Sequence, residues 1–151
     1  MAATKSKTEP TLTDIAIAER RHVVDSIRDD FESACARSER VTDALASLSN
    51  DDRRVSSFDI DAVICWKAKL DVLAQARRAA ADAAAGNRSA AELLMRLNEI
   101  IESYAHDLTT MPHRHCSTSA ASNMIDEAAA HAKSDALRML NSATRQLRKV
   151  V

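Results

Sequence analysis

Glycine and proline are almost absent from this chain of 151 residues, which contains one glycine, Gly86, and two prolines, Pro10 and Pro112. Glycine supplies the positive backbone φ that tight hairpins and phosphate-binding loops require. A chain with a single glycine can therefore build very few of either. The 101 residues between the two prolines contain no further proline to interrupt a helix. These shortages exclude most sheet folds and predict an all-α protein.

Large apolar side chains are also scarce. Leu, Ile, Val and Phe together number 30, about a fifth of the chain, whereas alanine alone accounts for 29 residues. A core built from so few large side chains is thin, and a small domain with a thin core often completes its burial against a partner or a second copy. The four aromatic residues leave little with which to line a cofactor pocket.

The charge is balanced, and no long apolar segment is present. Lys and Arg number 21 and Asp and Glu 22, so the formal net charge of −1 does not favour a large phosphate-binding surface. No stretch approaches the ~20 apolar residues of a transmembrane helix, and the polar N-terminal segment lacks the apolar core of a secretory signal. Cys35, Cys65 and Cys116 are too few and too widely spaced for a disulfide framework. These features predict a cytoplasmic protein that binds no membrane.

Apolar residues recur at alternating intervals of three and four, which is the period of an amphipathic helix. We predict a polar tail over residues 1–11 and one domain over residues 12–151, with four helices of about 36, 28, 20 and 31 residues. The apolar stripes begin at Ile17 in the first helix and Val63 in the second. Trp66 and Tyr104 lie on the stripes of the second and third helices, so we expect both in the core.

Local signals mark the links between the helices. Residues 49–52 end the first helix, and Gly86 occupies the place of a C′ glycine at the end of the second. Ser89 and Glu92 form a capping box that starts the third helix, and Pro112 ends it. Because the links are short, neighbouring helices are expected to run antiparallel. The sequence therefore predicts a four-helix up-down-up-down bundle with unequal helix lengths.

One short run of residues has the composition of a metal site. His113, His115 and Cys116 lie together, and His106 or His131 could add a ligand. A structural zinc site is normally built from ligand pairs on two segments, and this run has no second pair. We therefore predict a polar loop and no metal site. Nucleophile, P-loop and metalloprotease motifs are also missing, so we predict no enzymatic activity, no cofactor and no small-molecule substrate.

His106 suggests an alternative function. It lies on the third predicted helix in the segment SYAHDLTTMP, and a histidine at such a place in a four-helix bundle resembles the phosphorylated residue of histidine phosphotransfer domains. The resemblance covers this segment alone and implies phosphoryl transfer through His106. In that family a lysine and a glycine follow three and four residues after the histidine, whereas this chain has Thr109 and Thr110. The phosphoryl group would lack the lysine as its charge partner.

A second alternative is a nucleic-acid-associated coat or packaging protein. Three Arg-Arg pairs begin at residues 20, 53 and 77, and residues 138–151 contain four basic residues and no acidic one. The three pairs fall on separate elements and form no continuous basic stripe. Cations in the last turns of the fourth helix also compensate the helix dipole. The sequence therefore argues against nucleic acid as the main partner.

Protein–protein interaction through helix faces is the function that the sequence favours, in an assembly, adaptor or inhibitory role. The partner is a different protein or a second copy of the chain. Because the first helix is the longest, its first two turns are expected to project beyond the link between the second and third helices. The predicted partner-binding surface combines these turns with the end of the fourth helix: Leu12, Ile15, Ile17, Leu147, Val150 and Val151.

Overall fold

The computed structural model describes residues 10–50, 57–110 and 120–151. These residues form four α-helices and no strand: α1 (Leu12–Asn50), α2 (Ser57–Ala85), α3 (Ala90–Thr110) and α4 (Ala120–Leu147). The prediction of an all-α helix bundle is confirmed. The helices contain 39, 29, 21 and 28 residues, close to the predicted lengths. Most of the predicted tail, residues 1–9, lies outside the described residues, and the assignment of residues 12–151 to one domain stays a prediction.

Two helices begin with the same reciprocal capping motif. At the start of α3, the backbone N–H of Ser89 donates to the Glu92 carboxylate at 2.9 Å, and the N–H of Glu92 donates to the Ser89 hydroxyl at 3.2 Å. This confirms the predicted capping box. At the start of α1, the N–H of Thr11 donates to the Asp14 carboxylate at 3.0 Å, and that of Asp14 donates to the Thr11 hydroxyl at 3.2 Å. Both motifs satisfy backbone donors that a helix start leaves unpaired.

The turn between α2 and α3 depends on an asparagine rather than on the glycine. The prediction that Gly86 is the C′ residue is wrong, because Asn87 has the positive φ of 47° and Gly86 does not. The N–H of Arg88 donates to the carbonyl of Ala83 at 3.0 Å, and the N–H of Asn87 donates to that of Ala84 at 3.4 Å. This is the hydrogen-bond pattern of a Schellman motif with Asn87 at C′. Asparagine tolerates this conformation better than most residues.

The core lies along α2, which packs most extensively against α1 and then against α4. Alanines at residues 76, 80 and 83 of α2 and residues 132 and 136 of α4 are buried. Small side chains let helix axes approach closely, so the alanine-rich segments serve as contact surfaces. Larger buried side chains complete the core: Val23, Ile27, Val72, Leu73, Leu93, Leu97, Tyr104, Leu137, Leu140 and Leu147.

The predicted core is confirmed in part. Trp66 packs against the core but is half-buried, and its ring lies 5.5 Å from the Arg37 guanidinium and 5.4 Å from the Lys69 ammonium. Ile17 is exposed although it begins the predicted stripe of α1, whereas Val23, which the stripe omitted, is buried. In contrast, Tyr104 is buried as predicted. The predicted stripes of α1 and α2 therefore face the core along most of their length, and the exceptions are Ile17 and the omitted Val23.

Contacts between helices locate one end of the bundle. Arg20 near the start of α1 donates to the carbonyl of Arg88 and to the side chain of Asn87, which places it beside the α2–α3 turn. The Arg148 guanidinium lies 3.4 Å from the Asn98 side chain, so the end of α4 lies beside the first half of α3. The name turn end is used for residues 12–20, 86–89 and 148–151.

The opposite end of the bundle is located by a contact between α2 and α4. The thiol of Cys65 donates to the carbonyl of Ala128 at 3.4 Å, so the first turns of these two helices lie side by side. The name far end is used for residues 60–64 and 123–127. The up-down-up-down order of all four helices stays a prediction.

Candidate functional site

The start of α1 projects beyond the rest of the turn end. Helical side chains lean toward the N-terminus, so the backbone of Arg20 lies short of the turn that its guanidinium contacts. About the first turn of α1 extends past the end of α2. Leu12 is 87 % exposed, and Ile15 and Ile17 are also exposed. The hydrogen bonds between Thr11 and Asp14 hold the first turn in helical form, and the hydroxyl of Thr11 lowers the pKa of the Asp14 carboxyl. The structure therefore brings three of the six predicted residues together as exposed apolar side chains.

The predicted contribution of α4 to this surface is largely wrong. Leu147 has an exposed fraction of 0 %, and Val150 is half-buried against the core. Leu147 is the last residue of α4 and lies in the core, and the helix does not continue to Val150. The N–H groups of Lys149 and Val150 donate to carbonyls three residues back, so the chain turns instead of projecting. Of the three residues predicted from the C-terminal segment, Val151 alone is exposed. Whether any of the six residues binds a partner stays a prediction.

The exposed residues of α1 do not all share one face. Leu12 and Ile15 are three residues apart and lie on neighbouring turns of the same side, whereas Ile15 and Ile17 are separated by about 200° around the helix. A flat partner surface could therefore cover Leu12 and Ile15 but not Ile17. A partner that contacts all three must surround the projecting turns on more than one side.

A second group of exposed apolar residues lies at the far end. Ile60 of α2 and Met124 and Ile125 of α4 are each between 40 and 55 % exposed. The contact between Cys65 and Ala128 brings these two helix starts together. The sequence interpretation missed this surface because it placed Ile125 on the apolar stripe of α4. The signal that could have revealed it is the short length of α3, whose 21 residues cannot cover the 29 residues of α2.

Two grooves cross the sides of the bundle. The groove between α2 and α3 has a volume of about 420 Å³ and is lined by side chains of both charges, among them Arg78, Arg88, Asp82 and Glu99. The groove over the middle of α2 has a volume of about 630 Å³ and is lined mainly by Phe31, Ile64, Leu70, Ala74 and Ala129, with Lys67 and Lys133. Both grooves are open to solvent.

Tyr104 is the centre of a polar network between α2 and α3. Its hydroxyl donates to the Asp71 carboxylate at 2.8 Å and accepts from the Gln75 amide at 2.6 Å. The Lys133 ammonium lies 5.6 Å from the centre of its ring. Burial, and then the hydrogen bond to Asp71, raise the pKa of the Tyr104 hydroxyl far above its ordinary value. The two hydrogen bonds satisfy the polar group of a buried side chain inside the bundle.

The structure describes only some of the residues considered for metal binding and phosphoryl transfer. His113, His115 and Cys116 lie outside the described residues. His106 and His131 are both exposed, and within the described ranges no three His, Cys, Asp or Glu side chains are grouped as metal ligands. The hydroxyls of Thr109 and Thr110 donate to the carbonyls of His106 and Asp107, so they serve the end of α3. Phosphoryl transfer through His106 and nucleic-acid binding stay alternative hypotheses.

Comparisons with known proteins identify no relative. No family model matches the chain, and no similar sequence among curated proteins or similar fold among solved structures was found. In the part of the chain that the structure describes, none of the helices has both the length and the apolar character needed to span a bilayer. The residues themselves are therefore the basis for any functional argument.

Proposed function

We propose that this chain is a non-enzymatic helical interaction module that binds a protein partner or a second copy of itself, in an assembly, adaptor or inhibitory role. The observation that carries the proposal is the projecting start of α1, where Leu12, Ile15 and Ile17 are exposed. Apolar side chains that are grouped at one end of a molecule favour association, because a partner removes them from water.

The energetics of the projecting turns support the proposal. Complete burial of a Leu or Ile side chain contributes about 1.5–3 kcal/mol, so three such residues offer several kcal/mol toward association. That gain must exceed the loss of rotational and translational freedom on binding. Thr11 and Asp14 already order the first turn, which reduces the further ordering cost when a partner binds.

The test is a comparison of two variants in affinity purification from the native source. Replacing Leu12, Ile15 and Ile17 with Gln removes the apolar surface of the turn end and keeps the helix propensity of the segment. Replacing the exposed Met95 on α3 with Gln is the matched control, since it removes one apolar side chain away from both ends. We expect the triple variant to lose specific partners that the wild type and Met95→Gln retain. Identical partners for all three proteins would contradict the proposal.

A further inference from the structure

We draw no further inference here: the strongest candidate, the apolar groove over the middle of α2 that Phe31 of α1, Leu70 of α2 and Ala129 of α4 line, is open to solvent, and nothing in the structure shows what covers it.

Discussion

The half of the bundle near the turn end and the half near the far end differ in how completely they bury their apolar residues. All the described large side chains that are less than 2 % exposed lie in the half near the turn end, among them Leu73, Leu93 and Leu140. In the half near the far end, none of the described residues 35–47 of α1, 60–71 of α2 or 123–131 of α4 is buried. Because α3 is the shortest helix, its described residues cover less of α2 in this half than in the half near the turn end.

The comparison shows that an apolar stripe does not by itself produce burial. Val41, Val63 and Ile125 follow the same helical period as the buried residues, yet they are half-buried or exposed. A stripe is buried when enough neighbouring helices surround it, and three helices leave gaps that a fourth would fill. The far half is therefore the region where a partner can add most to the stability of the bundle.

The largest expected effect comes from a matched pair of substitutions on α2. Leu73 is 1 % exposed, and Leu70, less than one turn away, is half-buried. Leu73→Ala should lower the free energy of unfolding by about 2–5 kcal/mol, because it removes packed atoms and leaves a cavity. Leu70→Ala should cost less than half as much. Urea denaturation measures both, and equal losses would show that the two halves are packed equally well.

Trp66 tests the far half with a larger side chain. A buried Trp replaced by Ala costs about 3–5 kcal/mol, but this ring is half-buried, and Arg37 and Lys69 lie over it. We expect Trp66→Ala to lower the free energy of unfolding by about 2 kcal/mol, from partial burial and the loss of two cation–π contacts. A loss as large as that of Leu73→Ala would mean that the far half encloses Trp66 completely.

Much of the fold could be predicted because its signals are local. The capping box of Ser89 and Glu92 requires two residues three apart, and the long runs without proline define the helices. The burial of Trp66 and Ile125 could not be predicted in the same way. It depends on where α3 ends relative to α2 and α4, which is a relation among three distant segments. The apolar pattern of one helix contains no information about the lengths of the helices that pack beside it.

The hydrogen bonds of Tyr104 lie where α3 completes the core, and we expect Tyr104→Phe to lower the free energy of unfolding by about 1.5 kcal/mol. The substitution keeps the ring but removes the donor to Asp71 and the acceptor for Gln75. The double variant Tyr104→Phe with Asp71→Asn should lose less than the two single losses added together, since the residues are partners. Urea denaturation of the four proteins provides the measurement. Additive losses would show that the two side chains are not energetically coupled.

The pKa of Tyr104 also predicts a dependence on pH. Burial and Asp71, with a smaller contribution from Asp107, raise the pKa of the folded hydroxyl, and Arg78 opposes them. In the unfolded chain the hydroxyl releases its proton near its ordinary pKa of about 10. The folded state then binds more protons than the unfolded state, so stability falls as the pH rises above about 10. Tyr104→Phe should lose less stability over this range than the wild type, as urea denaturation at a series of pH values would measure.

The candidate site could be predicted only in part. The exposure of Leu12, Ile15 and Ile17 follows from the length of α1. Leu147 is the last residue of α4 and is buried in the core, and no glycine or proline marks the end of this helix in the sequence. The exposed residues of the far end were missed because the pattern of α4 contains no signal for how far α3 extends beside it. Side-chain periodicity thus located the helix faces but not the helices that cover them.

The smallest effects come from the two capping motifs, which have the same hydrogen bonds in different surroundings. Ser89→Ala should lower the free energy of unfolding by about 1 kcal/mol, because α3 is packed into the core from its first turn at Ala90 and Leu93. Thr11→Ala removes the equivalent cap from turns that project from the bundle, so it should leave the urea midpoint unchanged. Its effect should appear as faster hydrogen exchange at the backbone amide of Ile15, which lies in the affected turn. If Thr11→Ala instead destabilises the whole protein as much as Ser89→Ala, the first turns of α1 are part of the cooperative core and do not project from it.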